Sequence, residues 1–273
     1  MAGQASYFAS DSMIRRIHGE RAVALSGPRA LLMQAAHPLA VHGLLAHTSA
    51  LDEPYDRLAR TAEVMNTIAF GTRAEADRVT RRVRAMHRRV SGELPEAIGI
   101  YPAGTPYRAD DPELLLWVLF TLVDSAIVVY ERYVRRLSRA EQESFWRDYR
   151  VVGRLLGLRA ADMPRTLAEL DAYRVRMLEG DELLVTDWAR ERARQIVLSP
   201  PVPMLARPAL ETANFVTIAL LPDSIRRQYG FSPLPPPVVR RALVAGGARY
   251  FRRAVLPLLP SRLRLIPGAR PAA

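Results

Sequence analysis

The sequence predicts an all-α fold: a single multi-helix domain with no significant sheet. Three observations carry this. Apolar residues recur at helical rather than alternating spacing along nearly the whole chain. Helix-start signals punctuate it, among them Thr72, Asp111-Pro112, SRAE (138–141) and TLAE (166–169). A length of 273 residues with 49% hydrophobic content can bury a substantial core.

Each element follows in order. Ser10 or Asp11 is read as the cap of a first helix carrying Ile14 and Ile17. In GPRALLMQAAHP, Pro28 marks a helix start and Pro38 a break. PYDRLARTAEVMNTIAFG reads as a helix stopped at Gly71, and Thr72 caps the next, which runs through RRVRAMHRRV (81–90). Residues 93–105, with their Pro and Gly, read as a loop. DDPELLLWVLF opens a long buried helix with aspartates at its N-terminus and Pro112 in its first turn. From Pro200 the chain is proline-punctuated, which predicts short helices packed back on the bundle over 201–262, then a flexible tail over 263–273. The expected organisation is one domain, 1–273.

Composition excludes several chemistries. All 39 basic residues are arginine, against 28 acidic, for a net charge of +11. Arginine used to the exclusion of lysine, with abundant Ala, Leu and Val, fits a GC-rich genome, so the charge is not read as a nucleic-acid site. Without Cys there is no disulfide, thiolate metal site or iron–sulfur cluster. Without Lys there is no Schiff base and no Walker-A grip. No Glu-x-x-His pair signals a ferritin-like di-iron bundle. LLLWVLFTLVDSAIVVY (114–130) is short for a bilayer span and carries Asp124, so it reads as a buried central helix. The N-terminal stretch lacks a continuous apolar core, so a cytoplasmic location is expected.

Two constellations carry candidate chemistry. With Val79 as zero, helical geometry puts Val83, Met86 and Val90 on one apolar stripe, His87 on its shoulder and Arg84 further round. Taken alone, His87 is either a core-edge histidine or a ligand, and both readings stay open. Arg57, Arg60 and Thr61 share one helix face at i, i+3 and i+4. That face is either solvated, with Asp56 and Glu63 as partners, or a polar patch beside the apolar wall of Val64 and Ile68. His37, His42 and His47, spaced by fives, point in three directions, so a three-histidine metal site is not expected. His37 reads as a helix-end residue with its ring on a backbone carbonyl.

Taken in order, ALLMQAAHPLAVHGLLAH, RLARTAEVMNTIAFG, RVRAMH and DPELLLWVLFTLVDS resemble the rubber-oxygenase-type haem family. That family includes the latex clearing proteins and the fungal oxygenase that trims the farnesyl chain in mycophenolic acid biosynthesis. The likeness spans about residues 10–200. It implies globin-like helix packing around haem b, with His87 as the proximal iron ligand. Arg57, Arg60 and Thr61 match the distal Arg-x-x-Lys-Thr patch, where the family's lysine can close the sixth iron position. Arg60 stands in its place. A guanidinium stays protonated and ligates iron poorly, so hydrogen bonding or gating suits it better. Leu119 stands where relatives with WVHATL carry a histidine. Arg84 suits a haem propionate, and Thr121 is expected to line the pocket.

The expected function is a haem b-dependent oxygenase or oxidoreductase acting on a hydrophobic, isoprenoid-like or natural-product substrate with dioxygen or peroxide. The alternative is a non-catalytic haem-binding or sensing bundle. A third reading is a basic membrane-surface protein binding anionic lipids through RYFRRAVLPLLPSRLRLIPG (249–268), although its prolines break any regular amphipathic helix. The expected partner is a hydrophobic small molecule rather than nucleic acid, with peripheral membrane association left open.

Overall fold

Helices supply nearly all the regular structure in a computed structural model that describes residues 5–45, 54–198, 204, 207–231 and 245–266. They are α1 (Met13–Gly19), α2 (Ser26–Gln34), α3 (Pro38–Leu45), α4 (Pro54–Phe70), α5 (Arg73–His87), α6 (Pro112–Tyr133), α7 (Arg139–Leu156), α8 (Leu167–Glu179), α9 (Asp187–Ala193), α10 (Arg207–Leu220) and α11 (Asp223–Gln228). Shorter helical turns close the chain at Phe251–Val255, Leu256–Leu258 and Ser261–Arg264. The one sheet among the described residues is an antiparallel ribbon, β1 (Ser91–Glu93) with β2 (Pro106–Arg108); residues 94–105 connect it, and Glu93, expected in that loop, pairs with Pro106 instead. The all-α class therefore holds.

Local chemistry explains the starts of α5, α6, α7 and α8. Asp111 accepts from the amides of Glu113 and Leu114, with Pro112 supplying a preset φ in the first turn. Thr72 with Glu75, and Ser138 with Glu141, form complete capping boxes. TLAE forms half of one. Thr166 accepts from the Glu169 amide, but the Glu169 carboxylate turns to the amide of Arg165.

The first cap differs from expectation. The N-cap position of α1 is Ser12, not Ser10 or Asp11, and its side chain does not cap. Asp148 on α7 accepts from the Ile14 amide at 2.9 Å instead. A helix N-terminus needs an acceptor, and a residue 134 positions away supplies it.

The core is built around α6. Its Trp117, Phe120 and Tyr130 lie buried with Trp146, Phe145 and Tyr149 of α7 and with Leu32 and Met33 of α2. By length and composition α6 could cross a membrane, yet 67% of its apolar window is buried inside the fold. It is the central helix that the sequence predicts.

The end of the described chain folds back. Phe251 meets Tyr133 edge-on, and Arg252 Nη1 donates to the Glu131 carbonyl. Arg264 grips Glu20, which is 2% exposed, with contacts down to 2.6 Å, and the Ile266 amide donates to the Gly19 carbonyl. Residues 263–266, expected to begin a flexible tail, are thus pinned. A buried carboxylate needs a cation, and Arg264 provides it. Residues 267–273 of that tail lie outside the described residues.

Candidate functional site

The site residues of the sequence analysis fall mainly on the α4–α5 hairpin. Gly71 makes its tight turn, because a Cβ there would sit 2.6 Å from the Thr67 carbonyl. The Thr72 capping box then starts α5 at once. At 1.5 Å per residue, Arg57 lies roughly 21 Å from this turn, Thr61 roughly 15 Å and His87 roughly 24 Å. Arg57 and His87 therefore stand at the same, open end of the hairpin, with Arg60 and Thr61 one to two turns nearer the bend. Arg60 and Thr61 are exposed. The side chain of Arg57 lies outside the described residues, although its backbone belongs to α4.

The buried face of α5 corrects the sequence reading. Hydrophobicity alone selected Val79, Val83, Met86 and Val90, but Met86 is 54% exposed. The fully buried residues of the helix are Ala76 and Thr80. Their stripe, rotated about 60° from the apolar one, runs through the azimuth of His87. His87 thus lies on the line of the inward face rather than at its shoulder. The reason is size: Ala76 and Thr80 allow close approach, and Thr80 hides its hydroxyl by donating to the Ala76 carbonyl at 2.8 Å.

His87 is half-buried and its Nδ1 is shielded from solvent. Arg84, one turn earlier, is also half-buried and lies across the end of α7. A Cβ on Gly157, the left-handed cap of α7, would touch its Cδ at 3.5 Å. An iron porphyrin held by one histidine needs an imidazole at the edge of an apolar interior and a cation near the propionates. His87 and Arg84 fit those two requirements.

Thr121 lies elsewhere. It is fully buried on α6, its hydroxyl donates to the Val118 carbonyl at 2.7 Å, and Gln34 of α2 donates to it at 3.0 Å. Its polar group faces the α2–α6 seam and is already engaged. Leu119, in the place of the relatives' histidine, is buried toward Gly153 of α7.

The seam also holds groups that the sequence did not single out together. Arg29, 1% exposed, pairs with Asp124 at 2.7 Å and donates to the Ser125 hydroxyl and to the Leu220 carbonyl. Arg174 of α8 reaches the other Asp124 oxygen at 3.3 Å. The one signal available was an aspartate inside an apolar run, which demands a buried cation.

His37 and His42 do not converge on a metal. His37 sits 3.5 Å from the Tyr101 hydroxyl through Nε2, and its Nδ1 is buried with no hydrogen-bond partner among the described residues. Burial pushes its pKa down to about 4. His42 stacks on Trp188, and His47 lies outside the described residues. Among the described residues no three His, Asp or Glu side chains group as a metal site. Haem, which needs one axial residue from the protein, carries no such requirement.

Residues 15–256 match the family described as "ER-bound oxygenase mpaB/B'/Rubber oxygenase, catalytic domain". The match extends past residue 200, where the sequence resemblance stops, and takes in α10, α11 and the turn at Phe251–Val255. No curated protein and no solved structure matches the chain.

Proposed function

The chain belongs to the mpaB/rubber oxygenase catalytic-domain family, and from that premise we propose that it is a haem b-dependent oxygenase. Its substrate is hydrophobic, of isoprenoid-like or natural-product type, and its oxidant is dioxygen or a peroxide. One observation carries the reading: His87, which the sequence resemblance alone matches to the family's proximal position, lies on the line of the buried stripe of α5, at the open end of the hairpin that also bears Arg57, Arg60 and Thr61.

His87 would hold the iron, and Arg84 would pair with a propionate by charge-assisted hydrogen bonds. A bound haem supplies the capacity to activate the oxidant toward an alkene. Arg57, Arg60 and Thr61, the residues that the resemblance matches to the family's distal patch, would supply hydrogen-bond donors where negative charge develops. Arg60 would serve as a hydrogen-bond donor rather than as an iron ligand, because a guanidinium ligates iron poorly. A lipophilic substrate would be received against apolar side chains that exclude water from the haem.

A visible spectrum of protein from haem-replete cells tests this directly. A Soret band is expected, lost in His87→Ala with helical circular dichroism unchanged. An unchanged Soret band in that variant removes His87 from the site. Added imidazole or cyanide should bind readily. A resting six-coordinate low-spin spectrum that disappears on mutating His37 or His42 would instead assign the sixth ligand to the protein. The presence of Leu119 in place of a polar group favours the second reading, a haem-binding bundle without catalysis. Haem retention with no turnover of any hydrophobic alkene would select it.

A further inference from the structure

We propose that the surface formed by residues 249–263 is a docking face for an anionic lipid membrane. The first observation is a charge asymmetry. After Asp223 the sequence contains ten arginines and no acidic residue, so all but one of the eleven net positive charges lie in the last 50 residues. Codon bias spreads arginine along the whole chain. It does not remove every Asp and Glu from one end.

The second observation is what the fold does with this segment. Ala248, Leu256 and Leu265 are buried, Arg252 is tied to the Glu131 carbonyl, and Arg264 is spent on Glu20. These contacts fix the backbone against α6 and α1. What remains outward is Tyr250 at 68%, Leu258 at 83% and Leu263 at 58% exposure, among exposed Arg249, Arg253 and Arg262. Those three arginines form no ion pair among the described residues. Water is a poor home for two exposed leucines, and a bilayer interface satisfies both halves of the surface. Leucine and tyrosine enter the acyl boundary while guanidiniums meet phosphate and carboxylate headgroups.

The segment is not a regular amphipathic helix. Pro257 and Pro260 break it into three turns, so the face is preformed by packing and needs no folding on contact. A second copy of the chain suits this face poorly, since two such surfaces would oppose like charges. Duplex nucleic acid would engage the arginines but leave the leucines in water.

The inference rests on charge and exposure rather than on the haem reading, so it is tested without turnover. Full-length protein is co-sedimented with vesicles of phosphatidylcholine alone and of phosphatidylcholine with phosphatidylserine. Binding is expected to the second only, falling as salt rises. Leu258→Ser and Leu263→Ser should each weaken it about tenfold, and Arg253→Ser or Arg262→Ser about fivefold. Melting temperatures should not change, because these side chains are exposed. Absence of vesicle binding at low salt would overturn the proposal. So would wild-type binding by the Leu258→Ser/Leu263→Ser double variant, or tighter binding to duplex DNA that ignores both leucines.

Discussion

The α2–α6 seam and the α4–α5 hairpin are both rich in polar side chains, but they treat them in opposite ways. In the seam, Arg29, Asp124, Ser125, Thr121 and Gln34 bond to one another. In the hairpin, Arg60 and Thr61 face solvent and His87 and Arg84 are half-buried. Polar groups committed to each other in a low-dielectric interior fix architecture, because any one left alone is costly. Polar groups held at an accessible edge can be reached from solvent, whatever other contacts they make. The contrast separates scaffold from site more sharply than residue type does, since arginine and threonine occur in both.

The strongest way to break this comparison is Arg29→Ala. Removing Arg29 leaves the buried Asp124 with only the half-exposed Arg174 at 3.3 Å, and about 3–5 kcal/mol of stability should be lost in urea unfolding. A loss under about 1 kcal/mol would mean that Arg174 or water replaces Arg29, and the seam would lose its scaffold role. In the hairpin, Thr61→Ala and Arg57→Ala should leave the melting temperature nearly unchanged. Turnover of a lipophilic alkene should fall about 10²–10³-fold in each, as for loss of one charge-stabilising donor. Unaltered turnover would reassign these residues to the solvated surface.

The histidines extend the contrast to pH. Burial lowers the pKa of His18 and of His37 from 6.5 to about 4. Between those values the unfolded chain binds protons that the folded chain refuses, so stability is lost as pH falls from 6.5 to 4. The full loss is roughly 3 kcal/mol per histidine. His37→Gln should flatten the fall in melting temperature over that window, and an unchanged slope would show that His37 titrates normally. Smaller effects test the face of α5. Ala76→Leu should cost about 1–3 kcal/mol by overpacking, whereas Met86→Gln should stay within about 0.5 kcal/mol. Reversal of that order would restore the apolar stripe as the inward face.

What the sequence by itself determined was local. Asp111-Pro112, Thr72 with Glu75 and Ser138 with Glu141 set helix starts through bonds spanning two or three residues, so they were legible without the fold. The helical class and the buried α6 were likewise readable, whereas the pairing of His87 with the Arg57, Arg60 and Thr61 patch is an expectation that the resemblance alone carries. Tertiary structure alone decided the rest. It chose Asp148 to cap α1, gave Asp124 its partner Arg29, tied Arg264 to Glu20 and turned α5 on Ala76 and Thr80. Each of these depends on residues distant in sequence, or on how closely two backbones can approach. Neither spacing nor hydrophobicity encodes closeness of approach: Met86 is the more apolar side chain, but the smaller Ala76 and Thr80 let a neighbouring helix come near enough to exclude water.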